Sequence, residues 1–250
     1  FNIQRKLKEN LFKNYLNRNY LSFISQNMSY ATRTIIENVN QLTFGVLRSY
    51  LILLADLVLI IFLLSFLIYL NPKSALLVLI IFGSSSFLFM WVLNKRLKIW
   101  GEDRNYHSGE SIKYLQESLK GFKEIKLSNL FEFFLDKFRY HNKLSTSASK
   151  KQVISSAVPQ YFLELIAILS FTIFIITLNS QGLSGPEVIA LLGVYGAASF
   201  KILPSINRIV IAWNTIKFGD ACVTNVKKNI LHHVTKKKFI ENFEMNFENI

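Results

Sequence analysis

The chain has 250 residues, 51% of them hydrophobic, with 22 Phe, a mean hydropathy of +0.29 and a formal charge of +13. Its single cysteine, Cys222, excludes an intrachain disulfide. Its histidines make no metal set, since His232 and His233 are adjacent and cannot share a helix face while His107 and His141 stand alone in sequence.

Residues 1–46 carry a helical stripe of Ile36, Val39, Thr43 and Val46 that runs into a long apolar segment. Upstream, Asn17-Arg18-Asn19 and Ser25-Gln26-Asn27 break the pattern, which predicts a helical excursion whose descending arm begins before Phe1. The chain starts in mid-pattern without an initiator Met or a signal peptide, as expected of a piece of a longer protein. Four stretches follow that are long enough to cross a bilayer: Leu47–Leu70, Ser74–Leu93, Val153–Leu178 and Val188–Ile211. A spanning helix needs roughly 20 largely apolar residues, because it rises about 1.5 Å per residue through a hydrocarbon layer about 30 Å thick. The second stretch is uncharged, and each of the others carries one or two charges.

The connections differ sharply in length. Asn71-Pro72-Lys73 predicts a tight turn, with Pro72 fixing φ and removing a donor, so the first two spans form an antiparallel hairpin. The insert Asn94–Gln152 has 59 residues, no Pro, and two helical stripes: Ile112, Leu115, Leu119, Phe122 and Ile125, then Phe131, Phe134, Leu135 and Phe138. Leu127-Ser128-Asn129 marks the apex between two helices of roughly 25 residues, which would reach about 35–40 Å from the membrane and need other helices to pack against. Ser184-Gly185-Pro186-Glu187 has the form of a capping box and predicts the start of the fourth span. Gly193, Gly196 and Ala197 give that span a small face, which predicts close approach of another backbone. In the tail, Phe243, Met245 and Phe247 alternate with Glu244 and Asn246, the period of a strand.

Lys and Arg number six in residues 1–46, thirteen in 94–152 and six in 212–250, against one in the two short connections, with Arg48, Lys201 and Arg208 inside the spans. A ratio of 25 to one follows the positive-inside rule, so the amino-terminal segment, the insert and the tail are expected in the cytoplasm. The same placement argues against nucleic acid as the partner of this basic chain. A membrane-embedded glycosyltransferase or polymerase would show a carboxylate cluster near an interface or outer loop, where this chain has only Glu187. A four-span sensor would not need so long a paired-helix insert.

Long cytoplasmic helical hairpins, a spare outer face and a strand-like tail together resemble the membrane domain of an ABC exporter, an all-α membrane bundle with long cytoplasmic helical extensions. Gly121-Phe122-Lys123-Glu124-Ile125-Lys126 with Phe131, Phe134 and Phe138 resembles the approach to that family's second coupling helix, and Asn27-Met28-Ser29-Tyr30 the return from the first. Glu244–Ile250 is similar to the strand that opens the nucleotide-binding domain. Leu203-Pro204-Ser205-Ile206-Asn207-Arg208-Ile209 and Ile216-Lys217-Phe218 resemble the sixth helix of bacterial lipid-linked oligosaccharide flippases, and Pro159-Gln160-Tyr161-Phe162-Leu163-Glu164 the fifth, although those flippases often have a basic residue where Gln160 stands.

The resemblance implies a partial transmembrane domain over 1–238 and a linker with the first strand of a nucleotide-binding domain over 239–250. It implies a homodimer in a bacterial inner membrane that exports or flips a lipid-linked oligosaccharide or similar amphipathic cargo, with peptide or drug export as the alternative. It also implies coupling segments at Tyr20 and Phe23 and at Asn129, Phe131, Phe133 and Phe134, docked on nucleotide-binding domains that hold ATP and Mg. None of the ten glycines is followed by Lys, so the chain contains no Gly-x-x-x-x-Gly-Lys phosphate cradle, and any ATPase activity is expected in the missing domain. Leu127–Phe134 is expected to form a short helix parallel to the membrane, because its aromatics are too much apolar surface for a free tip.

Charges at membrane depth are costly and mark a cavity or a partner. Counted inward from the outer span ends, Asp56, Glu164 and Lys201 each lie 14 residues deep, at one level. Lys201 is therefore expected either to neutralise Asp56 or Glu164 or to join Arg208, with Asn207 beside it, in a cationic strip for a diphosphate head group. By the same count neither carboxylate is level with Arg208. Pro204 frees the Phe200 carbonyl and is expected to open the wall of a cavity.

Overall fold

Long apolar runs with few interior Gly or Pro fold here as long helices, since a helix is the one local structure that satisfies its own backbone in an apolar setting. The computed structural model describes residues 2–18, 28–70, 72–180 and 185–247; side chains at 73–75, 77, 78, 81, 174, 177–180, 187, 191 and 231–247 lie outside the described set. In chain order the helices are α1 (Asn2–Leu16), α2 (Met28–Arg33), α3 (Arg48–Leu70), α4 (Pro72–Lys120), α5 (Phe122–Leu127), α6 (Phe131–Ser180) and α7 (Gly185–Phe247). Two π-helical turns, Thr34–Asn38 and Gln41–Leu47, link α2 to α3. Only residue 71 separates α3 from α4, which begins on Pro72, a residue suited to a first helical turn because its missing N–H would be unpaired there anyway.

Among the described residues, three stretches are long and apolar enough to cross a membrane: Met28–Leu70, Phe131–Ile173 and Val188–Ile230. They overlap three of the four expected spans. The remaining one, Ser74–Leu93, is helical within α4, and several of its side chains lie outside the described set. The tail's alternation predicts a strand. The backbone is helical through Phe247, because a strand needs a neighbour to bond and the described residues include none, whereas a helix bonds within itself. Residues 248–250 and the capping residue Ser184 lie outside the described set.

The chain divides into two units. One comprises residues 48–97 and 150–217. Its core is Leu67, Phe82, Leu163, Tyr195, Ala198, Ile202 and Ile206. Apolar residues also cover its outside: Val58 is 68% exposed, Phe62 73% and Leu51 69%. Such a surface is suited to lipid, not water. Two prolines lie inside its helices, Pro159 in α6 and Pro204 in α7. Pro159 has no N–H, so the Ser155 carbonyl one turn earlier loses its helical donor. The buried amide of Asn214 replaces it, donating from Nδ2 to that carbonyl at 3.2 Å. Within this chain no described backbone closes on Gly193 or Gly196: a Cβ at either would meet nothing within 4 Å.

The other unit comprises residues 1–47, 98–149 and 218–250. Leu11, Val39 and Val226 form its buried apolar cluster, flanked by Leu7, Ile35, Leu42 and Ile230. The expected stripe into the first span is only half kept. Val39 and Val46 are buried but Ile36 is exposed, because Ile36 lies in the first π turn and Val46 in the second, and such turns change the helical period and rotate the face. The close helix approach lies here: a Cβ at Gly101 of α4 would run into the backbone carbonyl of Phe218 in α7, and one at Gly219 into Val46. Around this contact Lys98 pairs with Asp220 at 3.5 Å, Ser108 donates to Glu37 at 2.7 Å, and Arg33 donates to the Asn105 carbonyl. His107 and His141, isolated in sequence, meet Nδ1 to Nδ1 at 2.9 Å between the two arms of the insert. Burial pushes the Tyr15 hydroxyl pKa up, so it stays a neutral donor to Asn229 at 2.8 Å.

The apex is where the sequence placed it, but the short helix is not. Gly121 interrupts the arm, α5 precedes the apex, Ser128–Leu130 turn the chain, and Phe131 already starts α6. Asn129 makes the reversal at φ 54°, a left-handed conformation that Asn tolerates better than most residues. A helix over Leu127–Phe134 cannot pass through that residue. The predicted stripes are covered in part: Ile125 is buried and Ile112, Phe134, Leu135 and Phe138 are half-buried, whereas Leu115, Leu119, Phe122 and Phe131 are exposed, as are Leu127 and Phe133 beside the tip.

Candidate functional site

Helical periodicity builds the site within the membrane-type unit. On α7, Gly196, Ser199, Phe200, Leu203, Pro204, Asn207 and Arg208 recur at three- and four-residue steps and so share one face; on α6, Gln160, Glu164, Ala167, Ile168 and Phe171 do the same. With Phe82 and Tyr195 these faces line a cavity of about 850 Å³. That volume lies within the roughly 300–1,000 Å³ of ordinary ligand sites. Most of the lining is apolar; its charged and amide groups are Gln160, Glu164, Asn207 and Arg208, and the hydroxyls of Ser170, Thr172 and Ser199, also in the wall, donate to carbonyls of their own helices. Pro204 lies in the wall, as the sequence suggested.

Three of the five expected cavity residues, Glu164, Asn207 and Arg208, therefore meet in one cavity. Lys201 is exposed and does not line it. Asp56 approaches from α3 and is 5% exposed, with its carboxylate gripped by Arg208 in a fork: Nε donates to Oδ2 at 2.9 Å and Nη2 to Oδ1 at 2.5 Å. Ser205 supports the guanidinium, accepting from Nη2 at 2.9 Å. The depth count thus fails for Arg208. Pairing it with Asp56 needs an offset of seven residues from Lys201, about 10 Å along a helix, so equal counts from the outer ends do not mean equal levels. The cationic strip is corrected as well, because Arg208 has a resident carboxylate and Lys201 stands apart.

Across the cavity Gln160 donates from Nε2 to Glu164 Oε1 at 3.1 Å, and Asn207 donates from Nδ2 to Gln160 Oε1 at 3.4 Å. Asn207 Oδ1 is buried without a protein partner. Of the expected coupling residues, Tyr20 and Phe23 lie outside the described residues, whereas Asn129, Phe131, Phe133 and Phe134 gather at the apex. A second, polar cleft of about 520 Å³ lies in the other unit, with buried Arg33 in its wall beside Tyr30, Asn105 and Asp220. No periodicity in the sequence pointed to it. Its lining sets two cations, Arg33 and Lys98, among three carboxylates, Glu102, Glu110 and Asp220, so charges of both signs are mixed along its wall.

Comparison with known proteins agrees with this architecture. The chain is 22% identical over 169 residues to an ATP-dependent lipid A-core flippase of Paraburkholderia xenovorans (strain LB400) and 23% identical over 170 residues to one of Burkholderia orbicola (strain AU 1054). Each match covers 68% of this chain, which spans about 28% of the length of either flippase. The family described as ABC transporter transmembrane region matches residues 2–185, well over half of the sequence. The chain belongs to the ABC transporter transmembrane region family.

Proposed function

We propose that the chain is the cargo-handling part of an ATP-driven flippase whose cargo is a lipid-linked oligosaccharide or a similar glycolipid. The observation that carries this reading is the α6–α7 cavity: a largely apolar wall whose charged and amide side chains, Gln160, Glu164, Asn207 and Arg208, lie together suits a molecule with a long apolar tail and a polar head. The activity that names the two bacterial relatives, flipping of lipid A-core, points to the same kind of cargo. ATP and Mg would act on nucleotide-binding domains outside these 250 residues, whose sequence has no Gly-Lys step for a phosphate cradle. Two such domains closing in a homodimer of a bacterial inner membrane would rock the spans between inward- and outward-open states.

The test is transport by the full-length protein in proteoliposomes. A polyprenyl-diphosphate-linked glycan should cross in an ATP-dependent manner while a hydrophobic peptide of similar length does not. Peptide export without glycolipid movement would replace this reading with that of a peptide exporter.

Coupling needs a contact for the cytoplasmic tip. Phe131 is 59% exposed and Phe133 53% exposed beside the turn at Asn129, an apolar patch that fits a groove on a nucleotide-binding domain. A cysteine at Asn129 in the full-length transporter should crosslink to a cysteine on that domain, with a yield that changes on adding ATP. Failure to crosslink in any nucleotide state would refute docking at this apex.

A further inference from the structure

Resting on the reading of the α6–α7 cavity as the cargo site, we propose that it recognises cargo through hydroxyl groups of a glycosyl head and not through a phosphate. The argument begins with Glu164, whose ionised carboxylate can only accept hydrogen bonds. Gln160 must therefore turn its Nε2 toward Glu164, where it donates at 3.1 Å. This leaves Gln160 Oε1 as an acceptor, so Asn207 must present Nδ2 to it, as it does at 3.4 Å. One carboxylate thus fixes the polarity of both amides. The chain ends in acceptors, at Glu164 on one side and at the buried, unpartnered Asn207 Oδ1 on the other. A buried acceptor without a donor is unfavourable, and a cargo group able to donate would relieve it.

The charge balance points the same way. Among the described residues Arg208 is the one cation lining the cavity, and Asp56 and Ser205 already occupy its Nε and Nη2. With Asp56 cancelling Arg208, the charge that remains in the lining is that of Glu164, which makes no ion pair among the described residues. An entering phosphate would meet a negative carboxylate and a cation already spent. Sugar hydroxyls both donate and accept: they can donate to Glu164 and Asn207 and accept from the remaining guanidinium N–H groups. Phe82, Phe171 and Phe200 in the lining provide the apolar surface for the tail and for the C–H faces of the sugar.

The test uses the full-length transporter in lipid nanodiscs without nucleotide and three probes with the same twelve-carbon tail: dodecyl maltoside, dodecyl phosphate and dodecylamine, each below its micellar concentration. Dodecyl maltoside should bind at least about ten-fold tighter than dodecyl phosphate. Glu164→Gln and Asn207→Leu should each weaken maltoside binding about ten-fold; Asn207→Leu should leave phosphate binding within about two-fold, and Glu164→Gln should strengthen it by removing the opposing charge. Both variants are checked for an unchanged melting temperature; Glu164 is exposed and its amide replacement has the same shape, which keeps the test available if Asn207→Leu fails to fold. Tighter binding of the phosphate or the amine than of the maltoside, or unaltered maltoside binding in Glu164→Gln, would overturn the inference. Equilibrium binding without ATP separates this outcome from the transport assay. A protein that prefers the maltoside but exports peptide refutes the flippase reading alone, and one that flips glycolipid but prefers the phosphate refutes this inference alone.

Discussion

Arg208→Ala in the intact transporter is expected to reduce the folded yield and lower the melting temperature before any effect on cargo can be read. The substitution leaves Asp56, 5% exposed and within a spanning helix, without its partner cation. Removing one member of a fully buried pair costs about 3–5 kcal/mol. The Arg208 side chain is 49% exposed, so the loss here should be smaller, about 2–3 kcal/mol. Adding Asp56→Asn to Arg208→Ala should recover most of that loss, because the second change removes the stranded charge. Thermal unfolding of wild type, both single variants and the double variant forms the required cycle. Equal stability of Arg208→Ala and wild type, or strictly additive losses in the double variant, would show that the pair does not hold α3 to α7. The double variant, and not Arg208→Ala alone, is then the proper background for asking whether Arg208 acts on cargo.

Gly101→Val should be at least as damaging, at the contact between α4 and α7 in the other unit. Any Cβ at this position runs into the Phe218 backbone carbonyl, and a backbone atom cannot swing aside as a flexible side-chain end can. Overpacking typically costs about 1–3 kcal/mol, and a branched side chain against backbone should reach or exceed the top of that range. Displacing α7 there would also disturb the Lys98–Asp220 pair and the seating of Gly219 on Val46. The expected outcome is loss of protease resistance in residues 98–149, with Gly193→Val as the control: a Cβ there meets nothing within 4 Å, so that variant should fold normally. Wild-type protease resistance in Gly101→Val would mean that the two backbones are not locked together at this point.

The sequence by itself determined the class of the molecule. Apolar length marked the spans, because bilayer thickness fixes how many residues a crossing helix needs, and the insert's proline-free stripes marked paired helices with an apex at Ser128-Asn129. Both are local properties of a helix, set by rise and period. Glu164, Asn207 and Arg208 were legible as cavity candidates because a charge or amide in an apolar run needs a reason. Their partners were not legible. Asp56 meets Arg208 and not Lys201, His107 meets His141, and Asn214 caps the carbonyl that Pro159 strands, because each pairing depends on the offset and rotation of two helices. The exposed side of Ile36 depended on π turns that no hydrophobic pattern signals, and the close glycine contact fell at Gly101 and not at Gly193 because helix approach is set by which faces meet. Sequence period fixes what lies on each helix face; only the packed helices decide what each face meets.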